Sequence, residues 1–363
     1  MKTKFDLNNK TILITGAAGF IGAALTQRIL RECDGARVIG LDNMNDYYDV
    51  RLKEYRLREN EEAQKQGKCE YRFIRGSIAD KALVDEIFRE YQPDIVVNLA
   101  AQAGVRYSID HPDVYIESNI IGFYNILEAC RHSYDGGKTG VQHLVYASSS
   151  SVYGGNKKVP FSTEDRVDNP VSLYAATKKS NELLAHSYAK LYNIPSTGLR
   201  FFTVYGPAGR PDMFYFSATQ KLVKGETISI FNYGNCKRDF TYVDDIVEGV
   251  IRVMQGAPER ATGEDGLPLP PYAVYNIGGG QPENLLDYVQ TLQEELVRAK
   301  VLPADYDFDA HKKLVPMQPG DVPVTYADSE ALERDYGFTP KIGIREGLKK
   351  FAEWYKEMIV TKI

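Results

Sequence analysis

Thr15-Gly16-Ala17-Ala18-Gly19-Phe20-Ile21-Gly22 joins an apolar run, residues 11–15, to a stretch of helical periodicity, residues 20–32. The glycines therefore fall where a first strand turns into a first helix. Side-chain-free positions at 16, 19 and 22 let backbone amides approach a pyrophosphate at the helix N-terminus. Asp42, twenty residues past Gly22, closes the next apolar run. A carboxylate there accepts hydrogen bonds from both adenosine ribose hydroxyls and repels a 2′-phosphate, which selects NAD over NADP. The competing reading is a packing turn, with Asp42 as a solvated cap.

Working outward, short runs rich in β-branched residues recur at 37–41, 70–74, 95–98, 144–147 and 197–201. Helical spacing fills residues 80–91, 114–132 and 172–192 between them, the second of these opened by His111-Pro112-Asp113. That alternation describes an α/β protein with a Rossmann-like, doubly wound parallel sheet. Residues 1–202 are expected to form an NAD-binding Rossmann domain, with about 241–275 returning to it. From about Thr203 the pattern breaks into turns, with Pro and Gly clusters at 206–211, 268–271 and 278–280. Residues 203–363 are read mainly as a smaller C-terminal α/β lobe that binds the substrate. The polar, helix-like segment 50–66 is long for a connection, and 268–271 reads as an exposed loop. The chain has neither an internal repeat nor a low-complexity tract.

At 363 residues the chain exceeds one compact domain, so a cleft between two lobes is expected. A net charge of −5 gives no basic surface for nucleic acid, so an anionic substrate must meet local Arg or Lys. Cys33, Cys69, Cys130 and Cys236 lack the spacing of a zinc site or the density of a disulfide scaffold. They are read as reduced, and no metal is expected. No apolar run approaches the ~18 residues that span a bilayer, and residues 1–10 lack the apolar core of a signal peptide. The expectation is a cytoplasmic protein with neither membrane nor nucleic-acid partners.

Tyr174-Ala175-Ala176-Thr177-Lys178 sets a phenol and an ammonium on one helix face. A free phenol titrates near ~10, and positive charge from Lys178 and an oxidised nicotinamide favours phenolate. By itself the pair reads as a common surface contact, and it gains force only from its company. Its company is Ser148-Ser149-Ser150-Ser151-Val152-Tyr153-Gly154, at the carboxyl end of the 144–147 run, where ligands of open α/β sheets bind. Hydroxyls there can bridge a substrate hydroxyl to the phenol or hold sugar oxygens. A Ser-rich turn is the alternative.

With these three features in order, the chain resembles the extended short-chain dehydrogenase/reductase family in its nucleotide-sugar branch, over nearly its whole length. The stretches beginning Leu41-Asp42-Asn43-Met44-Asn45, Arg200-Phe201-Phe202-Thr203 and Gly209-Arg210-Pro211-Asp212-Met213 are similar to UDP-glucuronate 4-epimerases. The resemblance implies catalysis by Tyr174 as base, Lys178 as its partner and Ser149 beside the hydroxyl being oxidised. For NAD it implies Gly16, Gly19, Phe20, Ile21, Gly22, Asp42, Asn43, Ser77, Ile78, Leu99, Ala100, Ala101 and Asn119, together with Tyr174 and Lys178. For a UDP-sugar it implies Ser149, with Ser150 and Ser151 nearer the C5 substituent, and Thr203 with Arg210 on the glucuronate carboxylate. Phe231 would pack on the uracil, Arg238 would grip the diphosphate, and Asp321 in Gln318-Pro319-Gly320-Asp321 would accept from the uridine ribose. Two departures stand out. Ser77 replaces the Asp that relatives usually set against the adenine, and Ala208 replaces a frequent aromatic, which would leave room in the pocket.

The implied reaction interconverts UDP-glucuronate and UDP-galacturonate through a transient 4-keto sugar. A 4-epimerase of a neutral UDP-hexose or UDP-N-acetylhexosamine is the alternative. UDP-glucuronate decarboxylases and sugar-nucleotide dehydratases usually place Asp or Glu where this chain has Ser150 and Ser151. A non-catalytic NAD-binding sensor has no need of Tyr174, Lys178 and Ser149 together. Apolar residues beyond one buried face on 114–132 and 172–192 predict a homodimer.

Overall fold

The computed structural model describes residues 2–317 and 323–361. Seven parallel strands form the central sheet: β1 (Thr11–Thr15), β2 (Asp34–Asp42), β3 (Lys68–Arg75), β4 (Ile95–Asn98), β5 (His143–Ser149), β6 (Ser196–Phe201) and, after a long excursion, β9 (Tyr272–Ile277). Their order across the sheet is β9-β6-β5-β4-β1-β2-β3. Strand order reverses between β1 and β4, which opens a crevice beyond their carboxyl ends. Thr15 lies opposite Asn98 there, and its hydroxyl donates to the Asn98 carboxamide at 2.7 Å.

The helices form where sequence periodicity and capping agree. Helix α1 (Phe20–Glu32) buries Phe20, Ala23, Leu25, Ile29 and Leu30, each large side chain contributing about 1.5–3 kcal/mol. Helix α2 (Val50–Gln66) is capped by Asp49, which accepts from the Arg51 amide at 3.0 Å. Its buried face carries Lys53, Arg56 and Asn60 beside Leu52 and Ala63. Helix α3 spans Lys81–Tyr91.

The expected helix over 114–132 is interrupted. One α-turn, Pro112–Tyr115, passes into a π-helical stretch, Ile116–Ile121, before α4 (Gly122–His132). The Asn119 carbonyl accepts from the Asn181 side chain at 2.6 Å, and the Gly122 amide bonds back to Glu117, so the ladder locally widens. Helix α5 (Leu173–Tyr192) is capped by Ser172, whose hydroxyl accepts from the Ala175 amide, and ends on left-handed Asn193.

Beyond β6, β7 (Thr203–Tyr205) pairs parallel with β8 (Lys237–Tyr242), which pairs antiparallel with β10 (Pro282–Asn284). Helix α6 (Phe214–Val223) lies between β7 and β8 in sequence. Helix α7 (Val243–Met254) returns to α1, where Glu248 meets Arg28 at 3.1 Å. Residues 268–271 begin as a short strand paired with Ala261–Thr262, with Leu267 and Leu269 exposed. Among the described residues the four cysteines are free, no cluster of His, Cys, Asp or Glu could hold a metal, and no helix is long and apolar enough to cross a membrane.

Candidate active site

A cavity of about 490 Å³ occupies the crevice at the carboxyl ends of the strands. The glycine turn forms its floor, with Gly16, Gly19, Phe20, Ile21 and Gly22 all in the wall. Gly16 has φ +71°, and a Cβ on it would lie 2.9 Å from the Ala100 amide nitrogen. A Cβ on Gly22 would lie 2.1 Å from the Gly16 carbonyl oxygen. The turn is thus a backbone cradle that side chains would fill, and it fits a dinucleotide diphosphate. Asp42 ends β2 and Asn43 follows it, Ser77 and Ile78 follow β3, and Leu99, Ala100 and Ala101 follow β4, all in the same wall. Asp42 accepts from the Ala18 amide at 3.2 Å and the Met44 amide at 2.9 Å. Lys53 Nζ stands 3.8 Å from it, held by the Asn45 carboxamide at 2.8 Å.

The serine run and the Tyr-Lys pair meet on the opposite wall, with Ser149, Ser150, Ser151, Tyr174 and Lys178 all facing the cavity. The Ser149 hydroxyl accepts from the Ser151 amide and donates to the Ser151 hydroxyl, both at 3.1 Å. Desolvation raises the Tyr174 phenol above its ordinary value, opposed by a hydrogen bond from Ser149 and the charge of Arg210. Positive charge from Lys178 was the expected acidifying influence on this phenol. The Lys178 ammonium instead donates to the Ala147 carbonyl at 2.9 Å, and the nearby cation acting on Tyr174 is Arg210. Burial lowers Lys178 to about 8.

Behind this wall Glu182, on the same face of α5, accepts from the Ser148 hydroxyl at 2.7 Å and from Arg200 at 2.8 and 2.9 Å. Thr203 and Arg210 close the cavity at its third side. Arg210 is paired in advance, with Nε and Nη2 donating to Asp212 at 3.0 and 2.5 Å. Burial opposes its charge, and the Asp212 carboxylate more than restores it. Tyr47 donates to Asp212 at 3.3 Å and joins the same wall.

Several expected residues lie elsewhere. Asn119 is buried one layer behind the cavity, where its carboxamide accepts from the Gln102 amide at 2.8 Å and donates to the Gln102 carbonyl at 3.0 Å. It supports Gln102, which lines the cavity, rather than lining it itself. Phe231 and Arg238 are also outside the cavity wall. Phe231 sits under the Arg106 guanidinium at 5.6 Å, and Arg238 donates to the Lys237 and Pro323 carbonyls. Asp239 does not pair with Arg238, because the Gly279, Gly280 and Ala327 amides claim its carboxylate. Asp321 lies outside the described residues. Ala208 does not line the cavity. Sequence reasoning missed Lys53, a charge on the buried side of α2 that amphipathic patterning does not expect, and Tyr47, Gln102 and Asp212, which sit in loops where no period marks them.

A glycine cradle, a carboxylate at the end of the second strand and a Ser-Tyr-Lys set on one doubly wound sheet define a class, and residues 12–278 match it: the chain belongs to the NAD dependent epimerase/dehydratase family. Among its relatives are Protein CapI of Staphylococcus aureus, 48% identical over 95% of this chain and 98% of its own, and a probable UDP-glucuronate 4-epimerase of Rhizobium meliloti, 43% identical over 95% and 96%. A crystal structure of a UDP-glucuronic acid 4-epimerase from Bacillus cereus, in complex with UDP-glucuronic acid and NAD, superposes with TM-score 0.79. That protein is 30% identical, over 96% of this chain and 99% of the other.

Proposed function

We propose that the chain is an NAD-dependent 4-epimerase that interconverts UDP-glucuronate and UDP-galacturonate through a transient 4-keto sugar. The observation that carries the reading is the placing of Arg210 beside Tyr174 and Ser149 in a single cavity with the glycine turn. Relatives named for the same reaction support it.

NAD held over the glycine turn supplies a reversible two-electron acceptor for the sugar's C4 carbon. Tyr174 takes the C4 hydroxyl proton and returns it after the sugar has turned over. Ser149 stabilises the phenolate and orders the hydroxyl. Lys178 fixes α5 against the end of β5. Arg210, with Thr203, holds the carboxylate out of the alignment in which a 4-keto uronate loses carbon dioxide. Ser150 and Ser151 place no acid or base at C5, as a dehydratase or decarboxylase requires. In this reading Phe231, Arg238 and Asp321 receive the uridine diphosphate, and residues 203–363 act mainly as the substrate lobe.

One observation favours a second reading. Asp212 already neutralises Arg210, as a pocket for a neutral UDP-hexose would allow. Incubation with UDP-glucuronate, UDP-glucose and UDP-N-acetylglucosamine, with products resolved by NMR, separates the two. Conversion of a neutral sugar with glucuronate untouched overturns the proposal.

The chain acts as a homodimer in this proposal, because Ile116, Ile121 and Tyr124 before and within α4, and Leu183 and Leu191 on α5, are exposed apolar side chains. Light scattering that finds a monomer removes it. Free cysteines suit a reducing cytoplasm, where an activated uronate is the donor class for acidic polysaccharide synthesis.

A further inference from the structure

Arg56, on α2, is 1% exposed, yet among the described residues no carboxylate pairs with it. Its donors go instead to the Tyr48 hydroxyl at 2.6 Å and to three backbone carbonyls: Ala18 at 3.0 Å, Ala208 at 2.9 Å and Gly209 at 2.9 Å. A buried guanidinium is ordinarily matched by an anion, since removing it from water is costly. Here its fork ties together two loops distant in sequence. One is the glycine turn, through Ala18, and the other is the turn that delivers Arg210.

That second turn needs holding. Ala208 has φ +52°, a conformation alanine avoids. The backbone here presses against Tyr215, where a Cβ on Gly209 would lie 1.6 Å from the hydroxyl. Arg56 supplies hydrogen bonds to the Ala208 and Gly209 carbonyls, and Arg210 is the next residue. Asp212 then claims the Nε and Nη2 edge of Arg210, which leaves both Nη1 protons and the second Nη2 proton available to a ligand.

We propose that Arg56 is a positioning residue for selection of an acidic sugar. By fixing the Ala208–Gly209 carbonyls against the cofactor turn, it aims Arg210 at a substrate carboxylate. This rests on the reading of Arg210 given under the proposed function, and the experiment separates the two.

Titration calorimetry compares UDP-glucuronate and UDP-glucose on the wild type, Arg56→Met, Arg56→Lys, Arg210→Met and the Arg56→Met/Arg210→Met double variant. Arg56→Met is expected to weaken UDP-glucuronate at least about tenfold while UDP-glucose changes by no more than about twofold, and Arg56→Lys falls between. The double variant binds UDP-glucuronate as Arg210→Met alone does, because a residue acting through Arg210 has nothing left to position. Equal weakening of both sugars, or a further loss in the double variant, overturns the proposal. Should Arg56→Met not fold, the same ratio in Arg56→Lys decides: an unchanged preference overturns it. If the wild type binds both sugars alike and Arg210→Met alters neither, the carboxylate role of Arg210 fails first and takes the proposal with it.

Discussion

The ammonium of Lys178 donates to the backbone carbonyl of Ala147 at 2.9 Å, fastening the helix that bears Tyr174 to the strand that ends in Ser149. The bond is made in a desolvated place that lowers Lys178 to about 8. Below that pH the lysine is charged in both folded and unfolded chains, and the folded state carries the whole cost of the buried charge, about 3 kcal/mol at 1.36 kcal/mol per unit. Between about 8 and the ordinary 10.5, the unfolded chain binds more protons, so stability rises with pH. Lys178→Met should therefore melt no lower than the wild type at pH 7 while turnover collapses, and its advantage should vanish toward pH 10. A melting point several degrees lower at pH 7 would mean that the Ala147 bond outweighs the desolvation.

On the proposed mechanism Tyr174 carries the proton transfer, so Tyr174→Phe should cost about 10²–10⁴ in epimerisation rate and leave the fold and NAD content unchanged. Ser149 pulls the phenol's pKa down against burial, which makes the base easier to form. Ser149→Ala should therefore shift the rising limb of the pH–rate profile to higher pH, beyond any drop in its plateau. An unmoved limb would mean that another group sets the base's ionisation.

Where local chemistry and tertiary packing agree, the fold was readable in the chain. Phe20–Glu32 is a helix with the predicted bounds because Gly19 and the buried Phe20, Leu25 and Ile29 demand the same period. The 114–132 segment misled because Asn119 serves two masters: its side chain grips Gln102 and its carbonyl turns to Asn181. Neither contact has a sequence period. The glycine turn, Asp42, Ser149, Tyr174 and Lys178 were legible because each sits at a strand end or one helical turn from the next. Lys53 and Arg56 were not, since they place charge on the buried side of α2, the reverse of what amphipathic patterning assumes. Phe231 and Arg238, which the resemblance assigned to the uridine diphosphate, lie outside the cavity wall, and the period of a strand or helix does not say how its end packs against a neighbouring lobe.

Glu182 completes a Tyr-Lys-Glu face, and both its oxygens are engaged by Arg200 while Ser148 leans on one of them. Both charged side chains are 3% exposed. Glu182→Gln keeps the shape but leaves Arg200 charged and poorly matched, a loss of about 3–5 kcal/mol. Urea melts should show that loss, and turnover should fall because Ser148 precedes Ser149. Replacing both partners by leucine should cost less than Glu182→Gln alone. A double variant weaker than the single one would show that the pair is a net stabiliser.

Gly22 gives the most direct test of the cofactor cradle, because the obstruction to a side chain there is the turn's own backbone. A Cβ would lie 2.1 Å from the Gly16 carbonyl oxygen and 2.8 Å from its carbon, neither of which can rotate away. Gly22→Ala must push the turn open, at about 1–3 kcal/mol of overpacking, and the amides proposed to face the diphosphate move with it. NAD released from purified protein by acid should fall to a small fraction of the wild-type content. Gly343→Ala is the control: no atom lies within 4 Å of its Cβ position and its φ is not left-handed. Equal NAD content and equal melting points in the two variants would remove the glycine turn from the cofactor site, and with it the place where the sugar's electrons go.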